Sequence, residues 1–97
     1  MMAVRLRPEA KRDLKEACAY YEGKVRGLSD KLMERFNEAM VRIGKSPESP
    51  VIMQDGIRKV SLRQFPYSII YVVDAKEIVV LALSHHSRRP GWWDDRL

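Results

Sequence analysis

The sequence predicts an α+β fold, a two-layer sandwich with the element order β-α-α-β-β-β, in which a helical hairpin packs on a mainly antiparallel sheet. Three observations carry this. Two apolar stripes at helical spacing follow one another with only a glycine-bracketed turn between them. Three strand-like runs then succeed one another with connections of a few residues, which force antiparallel pairing because a parallel crossover needs a dozen or more. The chain has 97 residues, enough for one small domain spanning 1–97 and too few for a second.

Residues Ala3 to Arg7 alternate Val4 and Leu6 with Ala3, Arg5 and Arg7, the period of a short strand with one buried face. Pro8 ends that strand and suits the first position of a helix, where its missing N–H is not needed; Arg7 before it is a poor cap. Ala10, Leu14, Ala17, Cys18, Tyr21 and Val25 then recur on one helical face. Gly23 and Gly27 bracket the turn, and Ser29 is placed to cap a second helix carrying Leu28, Leu32, Phe36, Met40 and Ile43. Gly44 stands where a left-handed cap would end it, with Pro47 beyond.

Ser46 to Pro50 reads as a loop and Gly56 as a turn. Ile57–Arg63 follows as a strand that sets Arg58, Val60 and Leu62 against Ile57, Lys59, Ser61 and Arg63. Tyr67–Val73 and Ile78–Ser84 are apolar on both faces, as central strands are. One sheet face covers the hairpin; the other, bounded by the tail from His85, is expected to be free as a working surface.

Composition narrows the function. Hydrophobic residues at 45% and charged residues at 32% fit a folded chain. The 18 Lys plus Arg against 13 Asp plus Glu give a net charge of +5, which favours nucleic acid, a nucleoprotein or an acidic protein as partner. The lone Cys18 excludes an internal disulfide and a Cys-based zinc knuckle. No stretch approaches a membrane span and the opening residues lack a signal core, so a cytoplasmic protein with no membrane association is expected.

The segment from His85 to Arg96 gathers both histidines, Arg88, Arg89 and both tryptophans just after the last strand. Imidazole can move protons near neutral pH, guanidinium can grip phosphate with a bidentate fork, and indole can stack on a base. The plainer role for Trp92 and Trp93 is to pack a C-terminal turn onto the sheet, with Asp94 and Asp95 paired to Arg96 or other surface cations. No metal site is expected at His85 and His86, since neighbours on a strand face opposite ways and no third ligand stands at suitable spacing. No cofactor motif is present. Arg58, Lys59 and Arg63 form a second basic group, able to hold a phosphoryl charge or an acidic protein, or merely to solvate a strand.

In this order the opening Val4-Arg5-Leu6, Pro8-Glu9-Ala10 with Asp13-Leu14, and the closing Phe65-Pro66-Tyr67-Ser68-Ile69-Ile70-Tyr71, Ile78 to Leu83 and His86-Ser87-Arg88-Arg89-Pro90-Gly91-Trp92-Trp93 resemble the RelE/ParE superfamily of bacterial toxins. The resemblance spans nearly the whole chain. It implies a small basic toxin of a type II toxin-antitoxin system, neutralised by a cognate, commonly acidic antitoxin, with a heterotetramer as the implied complex. RelE-like members are ribosome-dependent mRNA endonucleases; ParE-like members inhibit DNA gyrase and are not nucleases. RelE-like nucleases carry Arg after the tyrosine that opens the middle strand, where this chain has Ser68. Ser61 stands near one of their lysine positions, and Trp92 or Trp93 replaces their C-terminal tyrosine. Indole cannot both give and accept a proton as phenol does. The resemblance is therefore closer to ParE-like members. Target-binding candidates are Arg58, Arg63, His85, His86, Arg88, Arg89, Trp92 and Trp93. If the chain is instead a nuclease, Lys59, Arg63, His86 and Arg88 are its catalytic candidates. A non-toxic basic nucleic-acid-binding module is the second alternative.

Overall fold

A computed structural model of the protein describes residues 2–50, 52–53 and 56–97. Strand β1 (Ala3–Leu6) leads into α1 (Pro8–Lys24) and α2 (Leu28–Lys45), followed by β2 (Ile57–Ser61), β3 (Tyr67–Val73) and β4 (Glu77–His85). The predicted α+β order holds. The sheet runs β1-β4-β3-β2, antiparallel at β2–β3 and β3–β4 and parallel where β1 joins β4. The helical hairpin supplies the crossover that this parallel pair needs.

The main core lies between hairpin and sheet. Ala10 and Ala17 of α1 and Leu32, Phe36, Ala39 and Ile43 of α2 meet Val60, Ile69, Tyr71, Ile78, Val80 and Leu83. Small residues on α1 let its backbone approach β4 closely. Tyr71, wholly buried, donates its hydroxyl to the Pro47 carbonyl at 2.7 Å and so ties the loop after α2 to the core.

Three local expectations are corrected. Ser29 does not cap α2: the cap is Gly27, at φ 88°, and the carboxylate of Glu22 on α1 does the capping from a distance. It accepts the Gly27 N–H at 2.9 Å, the Ser29 N–H at 3.1 Å and the Ser29 hydroxyl at 2.7 Å. Gly44 does not end α2; it is buried inside the last turn, and the helix stops at Ser46. Strand β2 ends at Ser61 rather than Arg63, because Gln64 at φ 68° turns the chain towards β3.

The sheet also departs from a uniform two-residue alternation. Ile70 pairs with Ala82 but Tyr71 with Val80, so β4 carries one extra residue, Leu81, as a β-bulge. Beyond it the faces exchange: Val80 and Leu83 share the main core, while Leu81 and Ala82 lie on the far face. That face is not free, as the sequence had suggested. Ile57, Ile70, Val79, Leu81 and Ala82 form a second, smaller core there under Trp93 of the tail.

Hydrogen bonds from Gly27 and Ser29 hold the Glu22 carboxyl below its ordinary value of 4.5. A carboxyl depressed by folding adds stability above its unfolded pKa and loses it as pH falls through the folded value. Glu22→Gln is therefore expected to melt below the parent protein at neutral pH. The gap should close on the acid side of 4.5, as read from melting temperature against pH.

Candidate functional site

β1 leaves the sheet at Leu6, yet β4 continues to His85 and would expose bare backbone along the vacated edge. Two distant side chains fill it. Asp13 of α1 accepts the Leu83 N–H at 3.1 Å, and Arg96 donates to the Leu81 carbonyl at 3.0 Å. The two also pair with each other, Arg96 Nη1 to Asp13 Oδ2 at 2.6 Å and Nη2 to Oδ1 at 3.2 Å, with both side chains about five-sixths buried. Asp13 holds the Arg96 guanidinium still further above its ordinary pKa. A buried bidentate pair of this kind is retained because each partner satisfies the other as well as the backbone.

The C-terminal segment hangs from this pair. After His85 it turns through Pro90-Gly91 into a short 3₁₀ turn, Asp94–Arg96. Gly91 sits at φ 82°, which favours glycine, and a β-carbon there would press on Asp94 Oδ2 at 3.1 Å. Trp93 is only 7% exposed and closes the second core. Trp92 donates its indole N–H to Ser84 Oγ at 2.9 Å. Its ring has the Arg96 guanidinium 4.6 Å away and that of Arg88 3.7 Å away. Arg88 is thus stacked on an indole, and its guanidinium makes no hydrogen bond to any described residue.

Because of the bulge, Ser84 faces away from the helices and His85 towards them. His85 meets Tyr67 edge-on at 4.9 Å, and its Nδ1 accepts the Ser87 N–H at 3.0 Å. His86 lies on the other side, where its Nε2 is 2.9 Å from Ser68 Oγ, which in turn is 3.2 Å from Ser61 Oγ. Lys59, Ser61, Ser68, Ser84, His86 and Arg88 line one cleft of about 270 Å³ on this face, floored by Ile70 and Trp93. A second cleft, also about 270 Å³, lies between α1 and the end of β4, with Asp13, Glu16, Tyr20, Tyr67 and His85 around it; Arg88 forms the ridge between the two.

The residues singled out from the sequence separate into groups. Lys59, His85, His86 and Arg88 come together, with Arg89 and Trp92 beside them. Arg58 does not join them: its Nη1 donates to the carbonyls of Glu48 and Pro50 at 2.8 and 2.7 Å. Arg63 turns to α2, its Nε 2.6 Å from Glu38 Oε1, and this guanidinium holds the Glu38 carboxyl below its ordinary range. Arg96 pairs with Asp13, not with Asp94 or Asp95. Burial, with Tyr21 adding, pushes the Tyr67 phenol up, so it does not serve as a ready base. Burial likewise pushes up the Cys18 thiol, which disfavours its reactive thiolate. Among the described residues no three of His, Cys, Asp and Glu gather closely enough to hold a metal ion.

Sequence reasoning did not foresee the roles of Asp13, Arg96 and Ser84. Asp13 and Arg96 are 83 residues apart, and no periodicity links them. The serines did leave a trace: Ser68 and Ser84 interrupt runs of Ile, Val and Leu in strands buried on both faces, where a polar residue needs a partner.

Replacing Asp13 by Ala leaves a largely buried guanidinium and a strand N–H without partners. The expected cost is about 3 kcal/mol, measured by urea unfolding. An unchanged unfolding midpoint would mean that the pair contributes nothing.

Residues 4–90 match the family model described as "ParE toxin of type II toxin-antitoxin system, parDE". Among solved structures, a chain described as "Chromosomal ParDE TA system from P. aeruginosa" superposes with a TM-score of 0.77 at 20% identity, covering 88% of this chain and 96% of that one. At that identity the likeness is one of fold. A comparison with curated proteins gives no match.

Proposed function

This chain belongs to the ParE toxin family of type II toxin-antitoxin systems, and we propose that it arrests growth in the cytoplasm by inhibiting DNA gyrase until a cognate acidic antitoxin neutralises it. The observation that supports a binding rather than a catalytic role is Arg88. Its guanidinium is stacked on Trp92 at the mouth of a cleft that carries Lys59 and, among the described residues, no carboxylate. Such an arginine has little freedom left to lose, which favours docking. On this reading Lys59, His85, His86, Arg88, Arg89 and Trp92 form the surface that meets the target. Arg58, Arg63 and Trp93 serve the fold.

The chemistry of the site favours this over RNA cleavage. General acid-base cleavage of a phosphodiester needs two proton carriers at the reacting atoms. Of the two imidazoles that line the cleft, His85 has its Nδ1 taken by Ser87 and His86 has its Nε2 against Ser68, while Tyr67 stands on the other side of the strand with its phenol pushed up by burial. One observation keeps the ribosome-dependent endonuclease as a second reading: Lys59, His86 and Arg88, three of the four nuclease candidates, line the same cleft.

Purified protein is expected to block gyrase supercoiling of plasmid DNA, with Arg88→Ala/Arg89→Ala losing at least about tenfold in potency while still binding antitoxin. Growth arrest accompanied by new RNA ends inside translated codons, and full supercoiling by treated gyrase, would replace this reading with the endonuclease.

A further inference from the structure

We propose that the cleft between Lys59 and Arg88 is a receptor for a single tetrahedral oxyanion, a phosphate group, and not for the carboxylate of an acidic side chain. The inference deepens the reading of this face as a target-binding surface, since it names the chemical group that the face takes.

Charge points to an anion: Lys59 and Arg88 are two cations on the rim of one cleft whose lining, among the described residues, contains no aspartate or glutamate. Arg5 is paired with Glu77, Arg63 and Arg35 with Glu38, and Arg96 with Asp13, whereas neither Lys59 nor Arg88 has a carboxylate partner among the described residues.

The donors around the cleft fit a tetrahedral group. The ammonium comes from β2, the hydroxyls of Ser61 and Ser68 from β2 and β3, and the guanidinium from the tail, so the donors stand on different elements around one space. Arg88 presents a planar fork fixed by its stack on Trp92. A tetrahedral group can occupy that fork with two oxygens and offer others to Lys59 and a hydroxyl. A carboxylate has two oxygens in one plane and would leave part of this set unused. Ile70 and Trp93 give the floor a low polarity that strengthens each of these contacts.

Ser61, Ser68 and His86 form a hydrogen-bonded chain. Ser68 is 4% exposed and lies between the other two, at 3.2 Å from Ser61 Oγ and 2.9 Å from His86 Nε2. When His86 carries a proton on Nε2, it donates to Ser68, Ser68 donates to Ser61, and the Ser61 hydroxyl is left to donate into the cleft. His86 is thereby a positioning residue, acting on the anion through two hydroxyls.

The test is a titration of the isotopically labelled full chain with sulfate, read from backbone amide shifts. Saturable shifts are expected at Ser61, Ser68, His86 and Arg88, with a dissociation constant on the order of 1 mM, within the ceiling for so small a ligand. Lys59→Met and Arg88→Met should each weaken binding about tenfold, and Lys59 is exposed enough for its replacement to leave the fold intact. Arg63→Gln, equal to them in lost charge but lying against α2, should leave binding unchanged. A mononucleotide and a short DNA duplex then distinguish a free phosphate from a polymer backbone, by which of the two moves the same amides at the lower phosphate concentration. The proposal is overturned if sulfate produces no saturable shift, if Arg63→Gln weakens binding as much as Lys59→Met, or if acetate saturates the same residues as tightly. Gyrase is absent throughout, so failure of the gyrase reading leaves this result unaffected.

Discussion

The ion pair between Asp13 and Arg96 joins three parts of the molecule that share no sequence proximity: the first helix, the bare edge of β4 and the C-terminal turn. An edge strand with free N–H and C=O groups invites pairing with another chain. Here it is sealed by two side chains whose opposite charges also satisfy each other. The guanidinium that seals the edge lies near Trp92, and Trp92 supports Arg88. The position of Arg88 therefore rests on a carboxylate of α1 that lies outside the cleft shared with Lys59. Trp93, one residue away, closes the second core at the same time. A thin domain of this size gains from that economy, because few residues are available to build a core and a site separately.

The bulge at Leu81 is the second constraint. It exchanges the faces of the last part of β4, placing Ser84 with Trp92 and sending His85 back to Tyr67. Adjacent histidines thus serve different surroundings, one against the aromatic edge of the helical layer and one on the hydroxyl chain of the cleft. The likeness to the solved ParDE structure is one of fold; the chemistry of the cleft comes from this chain's own residues.

Much of the frame was legible in the sequence because local periodicity dictates it. Helical spacing from Ala10 to Val25 and from Leu28 to Ile43, and the short connections Gln64-Phe65-Pro66 and Asp74 to Glu77, leave few alternatives once burial is required. The bulge was not legible. An uninterrupted run such as Ile78 to Leu83 is apolar at every position, so it carries no alternation from which a change of face could be read. The capping of α2 by Glu22 was hidden for a related reason: a side chain from the preceding helix satisfies donors that local rules assign to Ser29. At the site, the sequence indicated the tail as a cluster but not how its members would divide. Only tertiary partners, loop carbonyls for Arg58 and Glu38 for Arg63, remove these two from the cleft.

The most direct test of the central role of the Asp13–Arg96 pair is native-state hydrogen exchange at the Leu83 amide. If the carboxylate seals the edge, Leu83 exchanges only with the opening of the sheet, as slowly as the amides of β4 that β1 or β3 cover. Exchange of Leu83 at the rate of an unprotected amide, while Val80 and its neighbours stay protected, would show an open edge and contradict the account.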